Sequence, residues 1–176
     1  MRLPYRSDAF HPRSTVAKFY TDAAEIEDIV RRFESCDLPP AEFDHRAHLM
    51  VALCYLRRMP FQEAHARTRI NLKRFLDHHS VDPQQYNETM TLFWLKVVDR
   101  FLVASRESTP VEAMAEALLK SHDDSRLIYS HYSRELLTSD RARTAWVEPD
   151  LQPLSYSNVT GDKKELTHVS SSARGR

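Results

Sequence analysis

The stretch Ala47-His48-Leu49-Met50-Val51-Ala52-Leu53-Cys54-Tyr55-Leu56 decides the fold. It is apolar nearly all the way round a helix, interrupted only by His48, and a helix of that kind belongs at the centre of a helical bundle. The punctuation on either side agrees. Pro39 and Pro40 end one region and start this second helix, over about residues 40–58, and Pro60 starts the next.

The third helix is predicted to reach about residue 79, with Phe61, Ala64, Thr68, Leu72, Phe75 and Leu76 inward and Arg67, Arg69, Lys73 and Arg74 on a solvated face. Upstream, Asp22 and Glu25 have the spacing of a capping box, and Ile26, Ile29, Val30 and Phe33 recur at helical intervals, which predicts a first helix over about 22–36. After Pro83 a fourth helix is expected to about residue 105, with Tyr86, Met90, Phe93, Trp94, Val97 and Phe101 on one side. Thr109-Pro110-Val111-Glu112 offers an N-cap, a first-turn proline and a capping glutamate for a fifth helix to about 120. Shorter helices are expected over 125–131 and 139–146, followed by an extended segment over 149–154 packed on the bundle. Residues 1–20 read as an N-terminal arm and 155–176 as a disordered tail. The expected fold class is all-α: a single-domain bundle over 21–154, with about five main helices, short C-terminal helices and an extended tail.

Composition narrows the function. The 176 residues include two glycines, Gly161 and Gly175, where ordinary usage of roughly 7% would give about 12. That excludes glycine-rich phosphate loops, the G-x-S-x-G nucleophile elbow and hairpins built on Asn-Gly or Asp-Gly turns. Lys+Arg and Asp+Glu number 25 each, so no basic excess points to nucleic acid. The longest strongly apolar stretch, around 49–56, falls far short of the roughly 20 residues that a membrane span needs. Residues 1–14 lack the apolar core of a signal peptide, and a cytoplasmic location is expected. Cys36 and Cys54 have no Cys-x-x-Cys spacing and read as neither a disulfide nor a nucleophile.

Short connections favour antiparallel neighbours, so the ends of helices one, three and five and the starts of helices two and four are expected to share one end of the bundle. There His45, His48, His78, His79, Tyr86, Asn87, Glu88, Thr91, His122, Asp123 and Asp124 would collect, with His65 at the opposite end. His45 and His48 are three residues apart on one helical face, as two imidazoles sharing a divalent metal, or serving as acid–base groups, would be. Glu88 or Asp44 would supply a carboxylate, while Tyr86, Asn87 and Thr91 close a small polar notch for a ligand. The plain structural alternative is that these histidines are core residues satisfied by backbone or side-chain partners. Arg134, Arg141 and Arg143 offer a separate anion-binding surface.

The combination Phe43-x-His45-x-x-His48-Leu49, then Tyr86-x-Glu88-Thr89 with Leu92-Phe93-Trp94, resembles a group of small bacterial helical proteins with no known activity. Tyr132-Ser133, Leu137, Ser139, Ala142-Arg143 and Pro149-Asp150-Leu151-x-Pro153-Leu154 are similar to that group's closing segment, so the resemblance covers about 42–154. It implies three histidines at one bundle end in the group, the third at the position of Asn87 here. An Asn carbonyl is a weaker ligand for zinc-like metals than an imidazole.

The reading carried forward is a cytoplasmic helical-bundle protein with a histidine-centred pocket, taking a divalent metal (Zn or Fe) or a small polar ligand and suited to metal-dependent catalysis. Its catalytic candidates are His45, His48 and Glu88, its metal ligands His45 and His48, and its ligand-binding candidates Tyr86, Asn87 and Thr91. The alternative is a non-enzymatic interaction module or homo-oligomer in which His45 and His48 are structural. Imidazole edges sharing a cavity favour chemistry; separate histidines bonded to backbone favour the module.

Overall fold

The central apolar stretch forms the hub. In the computed structural model, which describes residues 20, 22–105 and 109–154, α2 (His45–Arg58) packs against α1 (Ala23–Ser35), α3 (Phe61–His78), α4 (Glu88–Ala104) and α5 (Val111–His122). Ala47 and every residue from Leu49 to Tyr55 are buried, which is what an all-round apolar helix requires. Three short helices follow, α6 (Ile128–His131), α7 (Arg134–Leu137) and α8 (Asp140–Thr144), and the described residues contain no strand. None of their helices is long and apolar enough to cross a membrane.

Local chemistry sets the helix ends. Asp22 accepts the Glu25 N–H at 2.8 Å, Asp44 the Ala47 N–H at 3.0 Å and Asn87 the Met90 N–H at 2.9 Å, each filling an N-cap. α1 and α3 leave through left-handed residues, Cys36 at φ 62° and Ser80 at φ 54°, where glycine is the usual occupant. The Asp37 N–H then reaches the Arg32 carbonyl, and the Val81 N–H the Leu76 carbonyl, both at 2.9 Å.

α4 is buried on two faces. Leu95 and Val98 join the main core around α2, whereas Phe93 joins a second core with Ile128, Tyr132, Leu137, Ala142 and Val147. Trp94 packs against both. Polar groups pin the C-terminal segment to α4: the Asn87 amide donates to the Leu137 carbonyl at 2.7 Å, and the Thr89 hydroxyl donates to the Ala145 carbonyl at 2.8 Å while accepting the Val147 N–H at 3.2 Å. Beyond α8, the Leu151 N–H reaches the His131 carbonyl at 3.0 Å and Asp150 accepts the Ser133 N–H at 2.8 Å.

Several boundaries differ from the sequence expectation. The Pro40–Glu42 segment is a separate 3-10 turn, and Asp44 caps a helix that starts at His45. Pro83–Gln85 is likewise a 3-10 turn, so Tyr86 and Asn87 precede α4. Pro110, not Thr109, holds the α5 cap position, with no side-chain hydrogen bond. α7 is an additional helix. The expected arm, apart from buried Tyr20, and the expected tail lie outside the described residues.

Candidate functional site

The end where the histidines were expected contains most of them, without the first turn of α4. His45 Nε2 donates to the His122 carbonyl at 2.9 Å, with its ring edge against Trp94 at 4.4 Å between centroids. Arg46 Nε donates to Asp123 Oδ1 at 2.7 Å, so the start of α2 and the end of α5 meet. His48 Nδ1 donates to the Asp44 carbonyl at 2.7 Å, and its ring stacks on Phe43 at 3.9 Å. Phe43 leads on through Phe75, at 5.0 Å, to His79, at 4.5 Å. His79 Nε2 is buried without a hydrogen-bond partner among the described residues. Burial holds the His122 imidazole below the ordinary histidine value.

His45 and His48 thus each bond a different backbone carbonyl, and neither is hydrogen-bonded to Glu88, whose carboxylate bonds Tyr86 and His65 instead. The Asp44 side chain is occupied by its cap. Among the described residues, no three His, Cys, Asp or Glu side chains converge as a metal group.

Glu88 lies elsewhere because residues 79–87 run back along α3. Its carboxylate reaches His65, which is thirteen residues before His78 and so about 20 Å up the same helix. The side chain is 7% exposed, with Oε1 accepting from His65 Nε2 at 2.8 Å, Oε2 accepting from the Tyr86 hydroxyl, and Arg69 Nε 3.8 Å from Oε2. Its place in the first turn of α4 also sets it at the positive end of the helix dipole. Burial, with the hydrogen bond to Glu88 adding to it, pushes the Tyr86 phenol well above its ordinary value, so that hydroxyl keeps its proton and donates.

Glu88 and Tyr86 line a cavity of about 650 Å³ together with Arg69 and Lys73 from α3 and Asp140 and Arg143 from α8. The Asn87 amide is taken up by the α4 cap and the Leu137 carbonyl, and the Thr91 hydroxyl by the Asn87 carbonyl at 2.9 Å. Of the residues selected from sequence, the structure brings Tyr86 and Glu88 together at this cavity and leaves His45 and His48 outside its walls.

Sequence reasoning missed His65, Arg69 and Lys73 as site residues, and it placed Arg143 on a separate anion-binding surface with Arg134 and Arg141, which do not line this cavity. A signal was present: His65, Arg69, Lys73 and Asp77 recur every four residues and form one polar ridge beside the apolar stripe of α3. Chemically, a buried carboxylate held by a phenol and an imidazole at the wall of a cavity can accept a hydrogen bond or exchange a proton with a bound molecule. The chain matches no family model, no curated protein and no solved structure.

Proposed function

We propose that this chain binds a small polar molecule in the cavity between α3, the start of α4 and α8, with Glu88 and Tyr86 as its contact groups and His65 as the residue that positions Glu88. The observation that carries the reading is the buried Glu88 carboxylate, bonded by His65 and Tyr86 and forming part of the cavity wall. A buried charge costs several kcal/mol unless it is well partnered, and structural need alone is met more cheaply by an apolar side chain. Glu88 is the group here equipped for proton transfer, so a reaction at this site would be acid–base chemistry.

The structural role of His45 and His48 is supported by their bonding to two different backbone carbonyls and by the absence of a three-ligand metal group among the described residues. A cytoplasmic location belongs to the same reading. It is supported by two buried free thiols, and burial pushes that of Cys54 up to about 11.

A fragment screen read by amide NMR on the isotope-labelled chain tests the proposal. Small polar fragments are expected to give saturable shifts at residues 69, 73, 86 and 143, weakened in Glu88→Gln. Shifts clustered at His45 and His48 instead, or no response at the cavity, would overturn it.

A further inference from the structure

The charges around the cavity are unevenly committed. Glu88 has both oxygens engaged, Oε1 by His65 and Oε2 by Tyr86. Arg69 Nε lies 3.8 Å from Oε2, beyond hydrogen-bond distance, as a long ion pair. One helical turn along α3, Lys73 Nζ lies 4.9 Å from the centroid of the Tyr86 ring and has no carboxylate within 4.0 Å among the described residues. Arg143, with a side chain 20% exposed, pairs with the exposed Asp140 at 3.3 Å and brings a guanidinium from α8 to the same cavity. Three cations from two elements thus line one cavity with three carboxylates, of which the buried Glu88 already accepts one hydrogen bond on each oxygen and Asp77 and Asp140 are exposed to water.

We propose that this cavity takes a small oxyanion, a carboxylate or phosphate group, held by Arg69, Lys73 and Arg143. The inference rests on the pocket reading above and names its ligand class. An entering oxyanion would accept hydrogen bonds from Arg69 without breaking any that Glu88 already has, and would give Lys73 the counter-charge it lacks. Glu88 stays held between His65 and Tyr86, beside the bound group, where it reads or exchanges a proton on the rest of the ligand.

The test uses the full chain at constant ionic strength, with inorganic phosphate, acetate and acetamide as probes. Acetate and acetamide share their shape and differ in charge. Phosphate and acetate are expected to give saturable amide shifts at residues 69, 73 and 143, and acetamide none. Lys73→Gln and Arg69→Gln should each weaken phosphate binding about tenfold, while Lys120→Gln, on exposed α5 surface, leaves it unchanged. Acetamide binding as well as acetate would overturn the oxyanion class, as would shifts that merely follow ionic strength. Silence from both anions, with polar fragments still binding the cavity, overturns the class and leaves the site standing. Silence from anions and fragments alike brings down the pocket reading with it.

Discussion

At the scale of single residues, the buried polar side chains Asn87, Glu88 and Thr89 each have particular partners, and the partner decides the role. His122 is the clearest case for pH. Burial holds its imidazole below the ordinary value of 6.5, so the folded chain binds that proton less readily than the unfolded chain. Above the ordinary value both forms are neutral and the group is silent. As the pH falls below it, the unfolded chain takes up the proton first and stability is lost, until the lowered folded value is passed. The urea midpoint should therefore fall less between neutral pH and mild acid in His122→Asn than in the parent. Parallel declines in the two proteins would show that His122 does not contribute. His45 is spared by this substitution, since it bonds the backbone carbonyl of His122 and not the ring.

Among the elements, α4 carries the architecture, because it serves two cores and anchors the C-terminal segment. Thr89 is the key to that attachment, giving one hydrogen bond to the Ala145 carbonyl and taking one from the Val147 N–H. Thr89→Val keeps the volume and strands both backbone groups, so it should cost about 1–3 kcal/mol in urea unfolding. A neutral result would mean that the segment after α8 is not held this way. The elements also divide into legible and illegible ones. α1 and α2 were readable because their signals are local: Asp22 with Glu25, the recurrence of Ile26 to Phe33, and a stretch too apolar to lie anywhere but inside. The path of residues 79–87 was not. Pro83 begins a helical turn in either case, and the turn stops where Tyr86 packs under Lys73 of α3 and Asn87 caps α4 through the Met90 N–H. The basic face of α3 was misread for the same reason, since a polar ridge meets water or a cavity according to what folds over it, here α8.

For the whole molecule, the consequence of that one connection is that chemistry expected at a single place is split between two. The histidine-rich end became a packed junction of α2, α3, α5 and the middle of α4, threaded by Phe43 and Phe75, while the carboxylate expected beside His45 and His48 moved to His65. Both glycines lie beyond the described helices, and the cavity is lined by side chains from α3, α8, the first turn of α4 and the residues leading into it. The most direct test is a pair of double-mutant cycles in urea unfolding. His65→Ala with Glu88→Ala should show a coupling of about 1–3 kcal/mol, whereas His48→Ala with Glu88→Ala should be additive within about 0.5 kcal/mol. Additivity in the first cycle with coupling in the second would contradict the account, by returning Glu88 to the histidine end.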